Sequence, residues 1–288
     1  MNVPALAGAG HAGLPIAGVA TPGVAADYAL RADGLRKNYG STVAVDGISF
    51  GVRAGEIVGL LGPNGAGKTT TINMVLGVLQ PSAGDIRIEG VELARHRSRA
   101  LAHTNFTAVY AALPGNLTVY QNLRFFSLLY DVPAGVSRIE QLLDEFDLRR
   151  LRNTRSGVLS SGEQTRLALA KAMVNEPRLL LLDEPTASLD PSAADLIRSR
   201  IRAMAVRTDC GILWTSHNMY EVEEICDRVL FLSRGRILLE GDPRSLPHAH
   251  GASSLEELFI RLAREPLGSA PAAAAAPAPK RDAPGAAP

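Results

Sequence analysis

A glycine-rich segment at residues 62–69 carries the clearest chemistry in this sequence. It fits the pattern G-x-x-x-x-G-K-[ST], in which glycines let backbone N–H groups curl around an anion without steric hindrance. Lys68 can reach the outer phosphates of a nucleotide, and the Thr69 hydroxyl can ligate Mg²⁺. The predicted phosphate-binding residues are Gly62, Pro63, Asn64, Gly65, Ala66, Gly67, Lys68, Thr69 and Thr70. The segment predicts a nucleotide site without specifying the nucleotide or the reaction.

Two adjacent carboxylates form a second candidate site. Asp183 and Glu184 directly follow an aliphatic run at residues 179–182. Asp183 can hold Mg²⁺ and its waters, and Glu184 can orient or deprotonate an attacking water. Taken alone, such a run is equally consistent with a strand that enters a polar turn.

Four further segments allow both a functional and an ordinary structural interpretation. Residues 160–163 open a helix with small hydroxyls and a glycine, which suits either an anion site or a plain N-cap. His217 follows an apolar strand and could bond a γ-phosphate, although a lone histidine there is more often structural. Tyr39 could stack on a base or be an ordinary surface or core tyrosine. Residues 188–190 could be a turn or a loop beside the site.

The pattern of elements predicts an α/β protein. The continuous aliphatic run at residues 179–182 is typical of a strand buried on both faces, and further buried strands are expected at 57–61, 212–216 and 229–232. Helical segments alternate with these strands. Before the glycine-rich segment, residues 29–56 alternate apolar and polar with turns expected at Gly34, Gly40, Gly47 and Gly55, which predicts a small antiparallel β subdomain. A helical insertion is expected at about 105–176, beginning with a capping box at Thr118.

Composition restricts the partners and the location of the chain. The 288 residues are 46% hydrophobic and 20% charged, and the net charge of +1 gives no electrostatic case for nucleic acid. Residues 1–28 and 267–288 are rich in small residues and proline, so we expect both ends to be disordered around a folded part at 29–266. The two cysteines lack the spacing of a metal site, and no apolar run is long enough to span a membrane. The N-terminus has no basic region of the kind that precedes the apolar stretch of a secretory signal. These observations favour a cytoplasmic location.

Taken together, the motifs resemble the ATP-binding subunit of ABC transporters over about residues 29–262. The resemblance rests on Tyr39, the glycine-rich segment, LSSGEQ at 159–164, LLLLDEP at 179–185, SLD at 188–190 and TSH at 215–217. It implies a mostly parallel P-loop NTPase core, ATP and Mg²⁺ as ligands, and a second ATP-binding subunit, here a homodimer, docked on separate transmembrane permease subunits at the cytoplasmic face of the cell membrane.

The resemblance also implies a role for each motif residue. ATP lies between the glycine-rich segment of one subunit and the LSSGE segment of the other. Lys68, Glu184 and His217 are the catalytic residues, and Thr69 and Asp183 hold the metal. The remaining ATP-binding residues that it implies are Tyr39, Ser160, Ser161, Gly162, Glu163 and Asp190.

Two departures from the family pattern stand out. Ser161 and Glu163 replace the usual glycine and glutamine of LSGGQ, although both keep a small polar helix start. The glutamine expected near Val109 or Tyr110 is absent from the sequence there. The sequences of residues 117–130 and 255–260 resemble those of bacterial exporter subunits. A soluble ATPase of the same superfamily and a non-hydrolysing ATP-binding regulator remain as alternatives.

Overall fold

Two β-sheets and a layer of helices build the part of the chain that the computed structural model describes, residues 28–108, 113–187 and 189–264. The strands are β1 (Tyr28–Tyr39), β2 (Thr42–Arg53), β3 (Ile57–Leu61), β4 (Ala83–Ile88), β5 (Val91–Glu92), β6 (Thr104–Ala108), β7 (Leu179–Asp183), β8 (Gly211–Thr215), β9 (Arg228–Ser233) and β10 (Arg236–Gly241). The helices are α1 (Lys68–Val75), α2 (Arg97–Leu101), α3 (Val119–Leu129), α4 (Gly135–Glu145), α5 (Ser161–Ala172), α6 (Pro191–Thr208), α7 (Met219–Ile225), α8 (Leu246–Ala249) and α9 (Leu255–Arg264).

The larger sheet has six strands in the order β10-β9-β3-β8-β7-β6. Five of them run parallel, and only β10 pairs with β9 in the antiparallel sense. Its central strands are aliphatic because both faces are buried: in β7, Leu180 and Leu182 pack toward α5 and α6, whereas Leu179 and Leu181 pack toward α1 and the smaller sheet. This arrangement confirms the predicted α/β class with a mostly parallel sheet.

The smaller sheet is antiparallel, with the order β2-β1-β4-β5. β1 and β2 form one long hairpin around Gly40. The turns predicted at Gly34 and Gly47 were wrong, because both glycines lie inside strands beside shifts of register, with φ of +60° and +72°. A β-bulge and a turn need the same positive φ, so the sequence pattern does not distinguish them. β1 also begins at Tyr28, inside the segment 1–28 predicted to be disordered.

The helical region packs α3, α4 and α5 against the larger sheet. The capping box predicted at Thr118 is present: its hydroxyl accepts from Gln121 N, and its own N–H donates to Gln121 Oε1. The region starts later than the expected position near 105, because residues 104–108 form β6, the edge strand of the larger sheet.

Several predictions concern residues outside the described part. The terminal segments 1–27 and 267–288, the site of the absent glutamine near Val109 and Tyr110, and Ser188 all lie outside it. Within the described residues, no helix has the length and apolar character needed to cross a membrane.

Candidate functional site

The glycine-rich segment connects β3 to α1 in a turn that leaves no room for side chains at two positions. A Cβ atom at Gly62 would lie 2.1 Å from the carbonyl oxygen of Leu232, and one at Gly67 would lie 2.6 Å from that of Ala44. Gly67 also has a φ of +108°, a conformation that residues with side chains rarely adopt. Glycine at these positions therefore lets the loop pack closely against β2 and β9.

Lys68, the first residue of α1, turns back over the loop. Its Nζ donates to the carbonyl oxygens of Gly62 at 2.5 Å and Pro63 at 3.1 Å. The pKa of the Lys68 amine lies below its usual value, because the effect of partial burial exceeds the opposing effect of the nearby Glu184 and Asp183 carboxylates. A half-buried cation held at the mouth of an N–H-lined loop is suited to binding phosphate oxygens.

The carboxylates of Asp183 and Glu184 lie at the carboxyl end of β7. Asp183 Oδ1 accepts a hydrogen bond from the Thr215 hydroxyl at 2.5 Å, which fixes its orientation. Glu184 N donates to both the carbonyl and the hydroxyl oxygen of Thr215, at 3.1 and 3.2 Å. These bonds hold Glu184 at φ +52°, a left-handed conformation that costs energy for a non-glycine residue and is concentrated at functional sites.

His217 reaches the same place from the end of β8. Its Nδ1 lies 3.1 Å from Glu184 Oε1, within hydrogen-bonding distance. The imidazole is 73% exposed whereas the Glu184 side chain is 34% exposed. The pair can therefore contact a ligand while each side chain restrains the other.

A cavity of about 460 Å³ joins the glycine-rich segment to the two carboxylates. Its lining residues are Ala44, Asn64, Gly65, Ala66, Gly67, Lys68, Thr69, Thr70, Asp183 and Glu184. It lies at the carboxyl ends of β3 and β7, where parallel α/β sheets bind ligands. A phosphate-binding loop, a cation, a hydroxyl and paired carboxylates around one cavity define a P-loop nucleotide-binding protein.

The LSSGE segment lies apart from this cavity. Ser160 caps α5 in a capping box with Glu163, whose pKa is lowered because its carboxylate accepts from the Ser160 N–H and hydroxyl. Ser161 lines a different cavity of about 400 Å³, together with Gln164 and Thr165. None of residues 160–163 lines the cavity at Lys68.

Tyr39 and Asp190 are also not among the residues that line the cavity. Tyr39 is 51% exposed at the tip of the β1–β2 hairpin, with Lys37 Nζ 5.5 Å from its ring centre. Asp190 caps α6 by accepting from Ser192 N and Ala193 N at 3.1 and 3.0 Å. Both therefore have structural partners within the chain.

Two residues near the cavity had not been predicted. Ala44 lines it through the approach of β2 to the glycine-rich segment, and alanine carries no chemical signal that could reveal this. Thr215 precedes the already noted TSH histidine by two positions, and its side chain fixes Asp183. It is the first residue of the TSH motif, and its place at the end of a buried strand is the sequence signal that could have found its contact with Asp183.

Comparison with known proteins places this site in a family. The model of the ABC transporter family matches residues 45–187. A Nod factor export ATP-binding protein I from Paraburkholderia xenovorans is 40% identical over 235 residues, covering 81% of this chain and 77% of that protein. One from Ralstonia nicotianae is 38% identical over 238 residues, covering 82% and 74%.

Solved structures agree with the sequence relatives. An ATP-binding subunit of an ABC transporter has a TM-score of 0.72 and 29% identity, covering 82% of this chain and 99% of the other. The protein cbiO1 of Clostridium perfringens, part of the transporter complex cbiONQ, has a TM-score of 0.71 and 28% identity, covering 83% and 97%. The chain belongs to the ABC transporter family, as an ATP-binding and ATP-hydrolysing subunit that powers a membrane transporter.

Proposed function

We propose that two copies of this chain form a head-to-tail homodimer with ATP bound between them. The observation that carries this proposal is that Lys68 and Ser161 line different cavities of one chain, and that none of residues 160–163 lines the cavity at Lys68. The start of α5 has small side chains at the positive end of the helix dipole, which suits contact with phosphate oxygens. In a head-to-tail pair, this segment of one copy completes the cavity at Lys68 of the other, and Asp190 couples the two sites.

Within each site, residues of the described chain divide the work of hydrolysis. Residues 62–70 bind the phosphates through backbone N–H groups, and Lys68 neutralises charge on the outer phosphates. Glu184 accepts a proton from the attacking water. His217, 3.1 Å away, contacts the γ-phosphate and restrains the Glu184 carboxylate. Tyr39 packs against the base of ATP.

Mg²⁺ fits the donor set of the cavity. Mg²⁺ prefers one or two protein ligands together with waters and phosphate oxygens. Thr69 offers a hydroxyl and Asp183 offers Oδ2, since Oδ1 already bonds Thr215. The metal would neutralise phosphate charge there, while Thr215 keeps the carboxylate oriented.

The dimer docks, in this proposal, on separate transmembrane permease subunits at the cytoplasmic face of the cell membrane and drives export. The sequence relatives carry export in their names, which supports this direction. The similarity to cbiO1, part of a transporter complex, supports docking on separate subunits.

A pull-down of this chain from its native cells in mild detergent, followed by mass spectrometry, tests the docking. We expect a polytopic membrane protein in roughly equal amount. Recovery of a soluble homodimer alone, or of ribosomes or DNA in its place, would contradict the proposal. A parallel pull-down with the Glu184→Gln chain and ATP, which stabilises the closed dimer, serves as the matched comparison.

A further inference from the structure

A buried carboxylate, Glu221, lies beneath the loops that carry Glu184 and His217. It is the third residue of α7 and is 4% exposed. Its side chain bonds residues that are distant in the sequence, 35 positions away at Thr186 and 23 at Arg198. No sequence motif discussed above includes it.

Three donors converge on the two oxygens of Glu221. Oε1 accepts a hydrogen bond from the Thr186 hydroxyl and lies 3.5 Å from Arg198 Nη1. Oε2 accepts from the Ser216 hydroxyl at 2.8 Å. Thr186 and Ser216 are 6% and 7% exposed, so water does not replace a bond that is lost there.

The bond to Thr186 fixes the turn that places Glu184. Thr186 follows Glu184 by two residues, and Ala187 N donates to the carbonyl oxygen of Glu184 at 3.2 Å. Leu189 N in turn donates to the carbonyl of Thr186 at 3.0 Å. Movement of Thr186 would therefore move the backbone of Glu184.

The bond to Ser216 fixes the turn that places His217. The Ser216 hydroxyl oxygen also accepts from Asn218 N at 3.1 Å, which closes a turn around His217. Asn218 Oδ1 then accepts from Glu221 N at 3.3 Å. His217 is thus held between two residues that both bond to Glu221.

We propose that Glu221 is a positioning residue that sets the separation of the Glu184 carboxylate and the His217 imidazole. Arg198 of α6 compensates its buried charge and ties a fourth element to the same carboxylate. The inference rests on the proposed function, because it gives Glu221 a role in ATP turnover only through Glu184 and His217. A misplacement of reacting groups by about 1 Å costs on the order of 100-fold in rate, so the positioning has a measurable effect.

Glu221→Gln tests the role in turnover. The glutamine amide has the shape of the glutamate carboxylate, but it has one acceptor oxygen in place of two. At least one of the three donors around position 221 would then face an N–H group and lose its hydrogen bond. We expect kcat for ATP to fall about tenfold or more, with KM and nucleotide affinity within about twofold of the parent chain. Glu224→Gln removes the same charge from an exposed residue of the same helix and should leave kcat unchanged. A merely structural role would lower binding and kcat together, through loss of folded protein.

Hydrogen exchange without nucleotide tests the same inference independently of activity. In Glu221→Gln, we expect the amide hydrogens of Glu184, Ala187 and Asn218 to exchange about fivefold faster or more, and that of Thr71 to be unchanged. If this variant folds poorly, adding Arg198→Met removes the largely buried cation that has lost its Glu221 partner and should restore folding without restoring kcat.

The outcomes separate the two proposals. A parent chain with no more ATPase activity than Glu184→Gln would contradict the proposed function, and hydrogen exchange would still decide whether Glu221 positions the two loops. An unchanged exchange pattern in Glu221→Gln, or a kcat within about twofold of that of an active parent chain, would overturn the inference.

Discussion

Glu184 is the residue on which the proposed hydrolysis depends most directly. Its side chain lines the cavity at Lys68, and its carboxylate lies 3.1 Å from His217 Nδ1. Its backbone N–H donates to Thr215, which holds the residue in a strained left-handed conformation. The strain is tolerated because the ends of β7 and β8 fix it from both sides. Substitution of the side chain should therefore change the chemistry more than the fold.

We expect Glu184→Gln to lower ATP turnover by about 100-fold or more, because the amide cannot accept a proton from water. Nucleotide binding should stay within about twofold, since the phosphate-binding loop is unchanged. Phosphate release and binding of a fluorescent ATP analogue measure the two quantities, with Glu224→Gln as the control. Equal turnover in the parent chain and the variant would rule out Glu184 as the base.

Among the elements, α5 and β6 are joined by a partly buried lysine. Lys171 Nζ donates to the carbonyl of Phe106 at 2.8 Å and to Asn105 Oδ1 at 3.4 Å, and burial lowers the pKa of its amine to about 8. The unfolded chain, with a lysine pKa near 10.5, binds more protons than the folded chain between about pH 8 and 10.5. The contribution of Lys171 to the free energy of unfolding therefore rises with pH in that window.

We predict that this pH dependence disappears in Lys171→Met. Between pH 8 and 10, the free energy of unfolding of the parent chain should rise relative to that of the variant, by at most about 1.4 kcal/mol per pH unit. Urea denaturation at several pH values measures the difference, in which the other titrating groups cancel. A difference that is flat across this range would contradict the proposed burial of the charged amine.

The capping box at the start of α3 gives a prediction about stability. Thr118→Ala removes the acceptor for Gln121 N and should lower the free energy of unfolding by about 1 kcal/mol. Thr118→Ser keeps the oxygen and should cost much less. The denaturation midpoints of the two variants compare these effects, and equal losses would show that the hydroxyl does not cap the helix.

The elements also show how much of the fold the sequence could predict. The strands β3, β7 and β8 were predictable because burial on both faces requires continuous aliphatic runs. β6 escaped prediction because its buried Thr104 and Asn105 are polar. The Thr104 hydroxyl donates to the carbonyl of Ala100, four residues earlier, and the Asn105 amide donates to Asn175 Oδ1, 70 residues away along the chain. Local patterns do not reveal such partners.

The same reasoning applies to the candidate site. The glycine-rich segment and the pair Asp183–Glu184 were predictable, because each is a contiguous motif whose chemistry depends on residue type, and one cavity brings them together. The contacts of Thr215 and Glu221 were not predictable, since they arise only when the ends of β7 and β8 become neighbours. Tyr39 lies outside the cavity lining, so its proposed contact with ATP stays a prediction.

The proposed head-to-tail dimer concerns the molecule as a pair of chains. Within one chain, Lys68 and Ser161 line different cavities. In the proposed pair, each chain supplies two half-sites and the pair contains two complete sites. ATP turnover is then expected to depend on formation of the dimer.

Mixing two inactive variants tests this claim most directly. Lys68→Ala should abolish the phosphate-binding half-site, and Gly162→Asp should place a negative charge where the other half-site meets phosphate. Each variant alone should be inactive. In the mixed dimer one site combines both defects and the other has neither, so ATP turnover should return to a substantial fraction of the parent value. Turnover that stays at the level of the single variants, although mixed dimers form, would contradict the head-to-tail site.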